Sequence, residues 1–366
     1  MDKLRIGVVG LGMGRSHVHA LKQMDDVEVH ALCDVNEGIL NETAEQYEVP
    51  QRFTNLDELL RTDIDAVLIC TPHFLHRDQV IASLEAGKHV FCEKPMAVTV
   101  READEMVETA QRTGLKLALG FQRRTNPRDK TIKQLIPELG EISRGLYETC
   151  SMRTQAYYNS GAWRGTWWGE GGAVLINQAV HDLDAYQWWM GLPRYVVARA
   201  VTFAHDIESE DMASAIFEYD NYAQVMFQAT LVNYPSISRF EVCGDRGALI
   251  YDGAIRIARL DVSLREFIAT CQETWGHPEK PEWEDVQVPD EPSGHAVLLH
   301  DFVRAVLDDR EPLASGEEGV KSVELVNAII MSSVTGEPVE IPVNREAYDA
   351  LMEDLRKGHR KLPRRM

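Results

Sequence analysis

Four groups of residues in this chain have types and spacings that could do chemistry. The first is Glu93-Lys94-Pro95, which closes the apolar run from Gly87 to Cys92 on a carboxylate, an amine and a proline. At the carboxyl end of a strand in an α/β sheet, where such sheets bind ligands, the two charged groups would form one wall of a site. The proline would fix the turn that aims them. The second group is Asn177, His181 and Asp184, spaced i, i+4 and i+7 after Gly171-Gly172. On a helix that spacing puts an amide, an imidazole and a carboxylate on one face, directed toward a wet cleft. An imidazole with an ordinary pKa of about 6.5 is suited to general acid or base work near neutral pH, and a lysine to donating a hydrogen bond to developing negative charge. Lys94, His181 and Asn177 are therefore the candidate catalytic side chains, the amide able to orient but not to exchange a proton.

The third group follows the first apolar run. Leu4 to Val9 leads into Gly10-Leu11-Gly12-Met13-Gly14-Arg15 and then into a segment of helical period. Glycines at such a turn let the backbone approach a pyrophosphate, whose charge is stabilised by helix N-terminal amides. Asp34 lies 24 positions past Gly10, at the end of the second apolar run, with no arginine beside it. There it would accept hydrogen bonds from ribose hydroxyls and repel a 2′-phosphate, so NAD is favoured over NADP. Gly14 stands one residue early for the pattern G-x-G-x-x-G, which shortens the turn. The fourth group is the aromatic stretch from Tyr157 to Trp168, including Tyr158, Trp163 and Arg164. Flat rings beside hydrogen-bonding groups suit a pyranose or cyclitol. Trp188 and Trp189 read instead as core or subunit-interface residues.

These residues need a scaffold. Strands expected at 4–9, 28–33, 66–70, 88–92 and 116–120 alternate with helices beginning near Arg15, Glu37, Leu56, Gln79 and Val100, the pattern of a parallel sheet with crossover helices. Beyond Gly120, longer alternating runs at 195–204, 212–219, 223–231 and 239–242 are punctuated by turns at Asp220-Asn221 and Asp245-Arg246-Gly247. Helices are expected at 174–190, 295–308 and 317–334, packed on one face of a mostly antiparallel sheet. The reading is an α/β Rossmann domain over 1–123 and an α+β domain with an open-faced sheet over 124–366. At 366 residues the chain is long enough for two cores. Its 58 acidic against 38 basic residues give a formal charge of −20, which disfavours nucleic acid and anionic membranes as partners. Six scattered cysteines without a C-x-x-C pair point to a reduced, cytoplasmic chain and to no metal site. The start of the sequence leads straight into a strand, without a signal peptide or membrane span. The segment from Arg356 to Arg365 carries six basic residues and reads as solvated or partner-covering.

Together these motifs resemble the glucose-fructose oxidoreductase and inositol dehydrogenase (Gfo/Idh/MocA) family. The likeness rests on the glycine turn with Asp34, Thr71-Pro72 and His76, Glu93-Lys94-Pro95, Gly120-Phe121-Gln122-Arg123-Arg124, the Gly-Gly…His-x-x-Asp segment, Gly244 to Leu249, and Pro338 to Pro342. It covers nearly the whole chain. The resemblance implies that Lys94 and His181 meet at a nicotinamide, with the proline commonly cis. It implies cofactor contacts from Gly10, Gly12, Met13, Gly14, Asp34, Thr71, Pro72, His73, His76, Glu93, Lys94, Gln122, Trp163 and Arg164. Substrate contacts would come from Lys94, Tyr158, Arg164, Asn177 and His181, in a homodimer or homotetramer. Many members carry aspartate where this chain has Asn177. The implied activity is an NAD-dependent dehydrogenase of a sugar, glycoside or cyclitol, sharpened to oxidation at pyranose C3. The alternatives are an NAD-dependent glycosidase that oxidises C3 transiently and a non-enzymatic dinucleotide-sensing regulator. Retention of both Lys94 and His181 argues against the last.

Overall fold

The computed structural model describes residues 3–365. The chain forms two compact units: one from the residues through Asn126 with 168–171 and 292–323, the other from 127–167, 172–291 and the residues from Glu324 onward.

The first unit holds six strands: β1 (Leu4–Val9), β2 (Val27–Cys33), β3 (Gln51–Phe53), β4 (Ala66–Ile69), β5 (His89–Cys92) and β6 (Leu117–Leu119). They run in the order β3-β2-β1-β4-β5-β6, and every pair is parallel. Ile6, Val8, Val67, Leu68, Val90 and Phe91 are fully buried, as strands covered on both faces require. The strand order reverses between β1 and β4, so the glycine turn after β1 and Thr71-Pro72 after β4 flank the switch point at which such sheets bind ligands. The helix after β1 begins at Leu11, four residues earlier than expected, because the Asp34 carboxylate accepts the Leu11 N–H at 2.7 Å and so caps its first turn. The fourth helix starts at His76 rather than Gln79. The three-residue strand β3 was too short to show a period.

The second unit is built on a nine-stranded sheet: β7 (Ile142–Met152), β8 (Tyr195–Val201), β9 (Met212–Glu218), β10 (Gln224–Thr230), β11 (Val232–Gly244), β12 (Gly247–Tyr251), β13 (Ile255–Arg259), β14 (Glu284–Val286) and β15 (Val339–Glu340). The order is β14-β13-β12-β11-β7-β10-β9-β8-β15; β10 and β7 are parallel and the other neighbours antiparallel. One face is aromatic and buried. Tyr147, Phe217, Phe227 and Phe240 pack there with Tyr186 and Trp189 of the helix Val180–Met190, ring centroids about 5 to 6 Å apart. Trp189 is thus a core residue. The alternate residues of the same strands point the other way: Val197, Ile216 and Met226 are exposed on the opposite face. Both expected hairpin turns are present, linking β9 to β10 and β11 to β12. Strand β7 and the helices Pro127–Leu135 and Arg345–Arg356 went unread in the sequence.

The expected single helix over 174–190 is two pieces. Val174–Gln178 forms a π-helical turn, closed by the Ala179 N–H on the Val174 carbonyl at 2.7 Å, and an α-helix then runs from Val180 to Met190. The extra residue per turn changes the phase of Asn177 relative to His181, so the i, i+4, i+7 stripe is not one continuous helical face. Asp184 is fully buried and accepts from the Gln187 amide at 3.2 Å. The basic C-terminal segment is not a free tail either. Leu362 is buried, and the Arg365 N–H donates to the Thr202 carbonyl at 3.1 Å. Among the described residues no helix is long and apolar enough to cross a membrane, and no cluster of side chains could hold a metal ion.

Candidate active site

The candidate cofactor-binding residues are assembled in the first unit. Gly10 has a positive φ of 85°, and a Cβ there would stand 2.8 Å from the Cys70 carbonyl group; only glycine lets β1 leave the sheet beside β4. A Cβ on Gly12 would meet no atom within 4 Å, whereas one on Gly14 would touch Val8 at 3.0 Å. Gly12 is therefore open to a ligand, and Gly14 seats the helix against the sheet. The early third glycine costs nothing in packing, since the helix itself starts early. The first-turn amides of Gly12 and Met13 have no intrahelical acceptors to reach.

Asp34 is held by backbone alone, its two oxygens accepting from Leu11 at 2.7 Å and Asn36 at 2.8 Å. Arg15 is engaged elsewhere, on Glu42 and Gln46. Among the described residues no cation pairs with Asp34, which suits ribose hydroxyls and opposes a 2′-phosphate. The Gln122 Oε1 is buried and has no hydrogen-bond partner among the described residues. An orphaned acceptor of this kind calls for a donor from a ligand. The open Gly12 backbone, the unneutralised Asp34 and this orphan together fit a nicotinamide dinucleotide.

Glu93-Lys94-Pro95 follows β5, and the Lys94–Pro95 bond is cis. Glu93 is buried, and one carboxylate oxygen meets the His17 Nε2 at 2.7 Å with the His295 Nε2 at 3.9 Å. The other accepts the backbone N–H of Lys94 at 3.1 Å. Gly120 provides the room: a Cβ there would lie 2.7 Å from Glu93 Oε2. Burial alone would raise the Glu93 pKa, but the His17 hydrogen bond and the charges of His17, Lys94 and His295 hold it below the ordinary value. Glu93 is thus spent on bracing the turn that carries Lys94. His76 is a second brace, its two ring nitrogens 2.8 Å from the carbonyl oxygens of Thr71 and Pro95. Burial lowers its pKa, against hydrogen bonds and a Glu93 charge that raise it. His73, also buried, lies 3.3 Å from the Glu170 carbonyl. Both histidines act as struts of this unit.

The remaining sequence-predicted residues are arranged within the second unit. Glu210, fully buried, accepts the amides of Ala173 at 2.9 Å and Leu175 at 3.1 Å, holding the start of the π-helical turn. One residue further along that turn than Ile176, the Asn177 amide reaches the Tyr157 phenol at 3.0 Å. Gln178 meets the same oxygen at 2.9 Å and Arg164 at 2.6 Å. The Arg164 guanidinium also lies over the rings of Tyr157 and Trp163, 4.4 and 4.5 Å from their centroids. Tyr158, by contrast, is buried with its ring 4.9 Å from that of His205. Tyr157 is the tyrosine joined to Asn177. Asp182, next to His181, accepts from the Tyr147 and Thr149 hydroxyls at 2.8 and 2.9 Å, which fixes the first turn of the helix bearing His181.

His17, His295 and Glu210 were not singled out in the sequence, and Tyr157 entered only as the first residue of the aromatic stretch. His17 carried a signal, since it falls on the buried stripe of Leu11, Gly14, Val18 and Leu21, and a polar residue there needs a buried partner. Glu210 and His295 lie 37 and 202 residues from their partners, and no local period could reveal them.

A parallel doubly wound sheet with a glycine turn, an acidic residue at the end of its second strand and a braced lysine at its carboxyl edge is the arrangement of an NAD-binding oxidoreductase. Two family models match the chain. One, described as "Oxidoreductase family, NAD-binding Rossmann fold", covers residues 4–121, and the other, "Oxidoreductase family, C-terminal alpha/beta domain", covers 133–341. The chain belongs to this glucose-fructose oxidoreductase and inositol dehydrogenase family. A myo-inositol 2-dehydrogenase of Thermotoga maritima is 33% identical over 190 residues, which span 51% of this chain and 55% of that one. A D-glucoside 3-dehydrogenase of Escherichia coli is 26% identical, with 92% of this chain and 97% of that one covered. The crystal structure of the WlbA dehydrogenase of Bordetella pertussis, in complex with NADH and UDP-GlcNAcA, superimposes with a TM-score of 0.80 at 27% identity, covering 94% of this chain and 100% of that one.

Proposed function

We propose that the protein oxidises a secondary alcohol of a sugar, glycoside or cyclitol with NAD+, at C3 where the substrate is a pyranose. The observation that carries this reading is the brace under Lys94: a buried carboxylate with one oxygen on His17 and the other on the lysine's own amide. Such a brace holds an amine at the carboxyl edge of an NAD-binding sheet, where a hydroxyl undergoing oxidation needs a donor. NAD+ supplies the hydride acceptor when bound. Gly12 and Met13 would hold its pyrophosphate, Asp34 its adenosine ribose, and Gln122 its carboxamide end. Lys94 donates to the substrate oxygen and lowers the cost of charge developing on it. His181 takes the hydroxyl proton, while Asn177, fixed by Tyr157, orients the same hydroxyl. The relatives named for inositol and glucoside dehydrogenases support a polyhydroxylated ring as substrate.

The test follows NADH formation and aglycone release in parallel across sugars, inositols and aryl glycosides. NADH formed in step with substrate, without aglycone release, is the expected result. Aglycone release without net NADH would show a glycosidase, and binding of NAD+ without turnover of any ring would show a sensor. Lys94→Ala and His181→Ala should each lower kcat about 100-fold or more with NAD+ affinity nearly intact; full turnover in either variant overturns the assignment.

The uncovered face of the second unit's sheet is proposed to pair copies of the chain, as a dimer or tetramer. A cross-strand row of Val197, Ile216, Met226 and Leu146 supplies the apolar surface.

A further inference from the structure

The basic C-terminal segment closes one wall of a cavity of about 880 Å³ within the second unit; the stretches 155–167 and 202–208 form the others. The segment is pinned there. The Thr202 N–H donates to the Pro363 carbonyl at 3.0 Å, the Arg365 N–H returns to the Thr202 carbonyl, and Leu355 and Leu362 are buried beneath.

Six cationic side chains line the cavity, against two carboxylates, Asp206 and Glu208. Three of the cations are neutralised: Arg364 pairs with Asp206 at 2.6 Å, Lys357 with Glu353 at 2.8 Å and Arg360 with Asp354 at 3.5 Å. The other three meet no carboxylate within ion-pair distance among the described residues. Arg164 donates to the Tyr157 phenol at 2.6 Å, Arg356 to the Trp167 carbonyl at 3.4 Å, and Lys361 makes neither a hydrogen bond nor an ion pair among the described residues. A cation without a carboxylate leaves its charge uncompensated. Three of them around one concavity outnumber its one carboxylate without an ion pair, Glu208, which accepts the Trp167 N–H, and make a local positive field that favours an anion. The remaining lining is amphipathic, with Trp167, Ile207 and Leu355 as apolar surface and Gln155, Asn159 and Thr202 as hydrogen-bonding groups. That combination suits an organic body bearing hydroxyls as well as a charge.

We propose that this cavity binds a small phosphate- or carboxylate-bearing molecule through Arg164, Arg356 and Lys361. Arg164 also joins the cavity to the Asn177 turn, since Arg164, Asn177 and Gln178 share the Tyr157 phenol oxygen. An anion that draws on the Arg164 guanidinium loosens that shared contact, so occupancy is felt at Asn177. The proposal is independent of which ring the enzyme oxidises.

The test is calorimetric titration of the full chain, saturated with NAD+ so that the phosphate loop is filled, with three probes: inorganic pyrophosphate, glucose 6-phosphate and glucose. Saturable binding of at least one phosphate-bearing probe with a Kd below about 1 mM at low salt, weakening as salt rises, is the expected result. The double variant Arg356→Glu, Lys361→Glu should lose at least about ten-fold in affinity for that probe. Both side chains are exposed, so the fold is not at stake, and an unchanged melting temperature verifies this. Glucose 6-phosphate binding more tightly than pyrophosphate identifies an anionic sugar as the ligand; equal binding identifies the phosphate group alone. No saturable binding of either phosphate, or equal affinity in the double variant, overturns the proposal and leaves the dehydrogenase assay untouched.

Discussion

A carboxylate only 6% exposed, as that of Glu93 is, survives in ionised form where hydrogen bonds and opposite charge replace the water it has lost. His17, Lys94 and His295 do this, and they leave Glu93 more acidic than an ordinary glutamate. The folded protein therefore keeps Glu93 ionised at pH values where the unfolded chain has begun to take up its proton. Its contribution is complete at neutral pH and is lost as pH falls from the ordinary glutamate value through the lowered folded one. His295 steepens the same limb: burial lowers its pKa, so the unfolded chain binds that proton first as pH falls through about 6.5. Glu93→Gln is expected to cost about 2 kcal/mol at neutral pH. In urea unfolding, its stability should also fall less than the wild type's between about pH 5 and about pH 3; identical acid slopes would remove Glu93 from this role. Asp34 makes a second residue-scale case. With only backbone N–H partners at 2.7 and 2.8 Å, its carboxylate is the local negative charge a 2′-phosphate would meet. Asp34→Ser should raise KM for NAD+ about ten-fold, a loss of about 1.4 kcal/mol, and narrow the gap to NADP+. Initial rates with the two cofactors measure both effects.

At the scale of elements, the sequence was legible where periodicity is regular and local. The strands β1, β2, β4, β5 and β6 are apolar runs bounded by turns, and their positions agree with the expected ones to within two residues. The Gly-Gly…His-x-x-Asp segment was legible as a motif but not as geometry. A π-helical turn has the composition of an α-helix, and what produces it here is Glu210, 35 residues beyond Leu175, whose carboxylate oxygen draws in the amides of Ala173 and Leu175. Without that carboxylate two buried N–H groups lose their acceptor, at about 1 to 3 kcal/mol each. Glu210→Ala is therefore expected to destabilise the protein by about 3 kcal/mol and to shift the entry into the His181 helix. Thermal melting reads the first effect. A fall in kcat for the folded variant, with KM for NAD+ unchanged, reads the second. Normal kcat in a protein that melts early would mean that the turn supports the fold without positioning His181.

At the scale of the whole molecule, the face of the nine-stranded sheet opposite its aromatic core exposes apolar side chains that the alternating pattern leaves to be explained. Strict alternation sends Phe217, Phe227 and Tyr147 to the buried side and Ile216, Met226 and Leu146 to the other. Register lines up Val197 with Ile216, Ile216 with Met226, and Met226 with Leu146, so four apolar side chains cross four adjacent strands in one row. Rows on either side are polar: Arg199, Ser214, Gln228 and Glu148 on one flank, Glu218 and Gln224 on the other. An apolar centre within a polar rim is the anatomy of a protein interface, and the proposed pairing would set this face against its copy about a two-fold axis. Each copy carries a formal charge of −20, so association works against repulsion that salt screens. Sedimentation equilibrium should accordingly give an oligomer that tightens from low to moderate salt, the opposite of an ion-paired interface. Ile216→Lys puts a charge at the centre of the row without touching the buried face, and should yield a folded monomer with an unchanged circular dichroism spectrum. A wild-type protein that sediments as a monomer, or an Ile216→Lys variant that assembles normally, would place any subunit contact elsewhere and leave this face as ordinary solvent-exposed sheet.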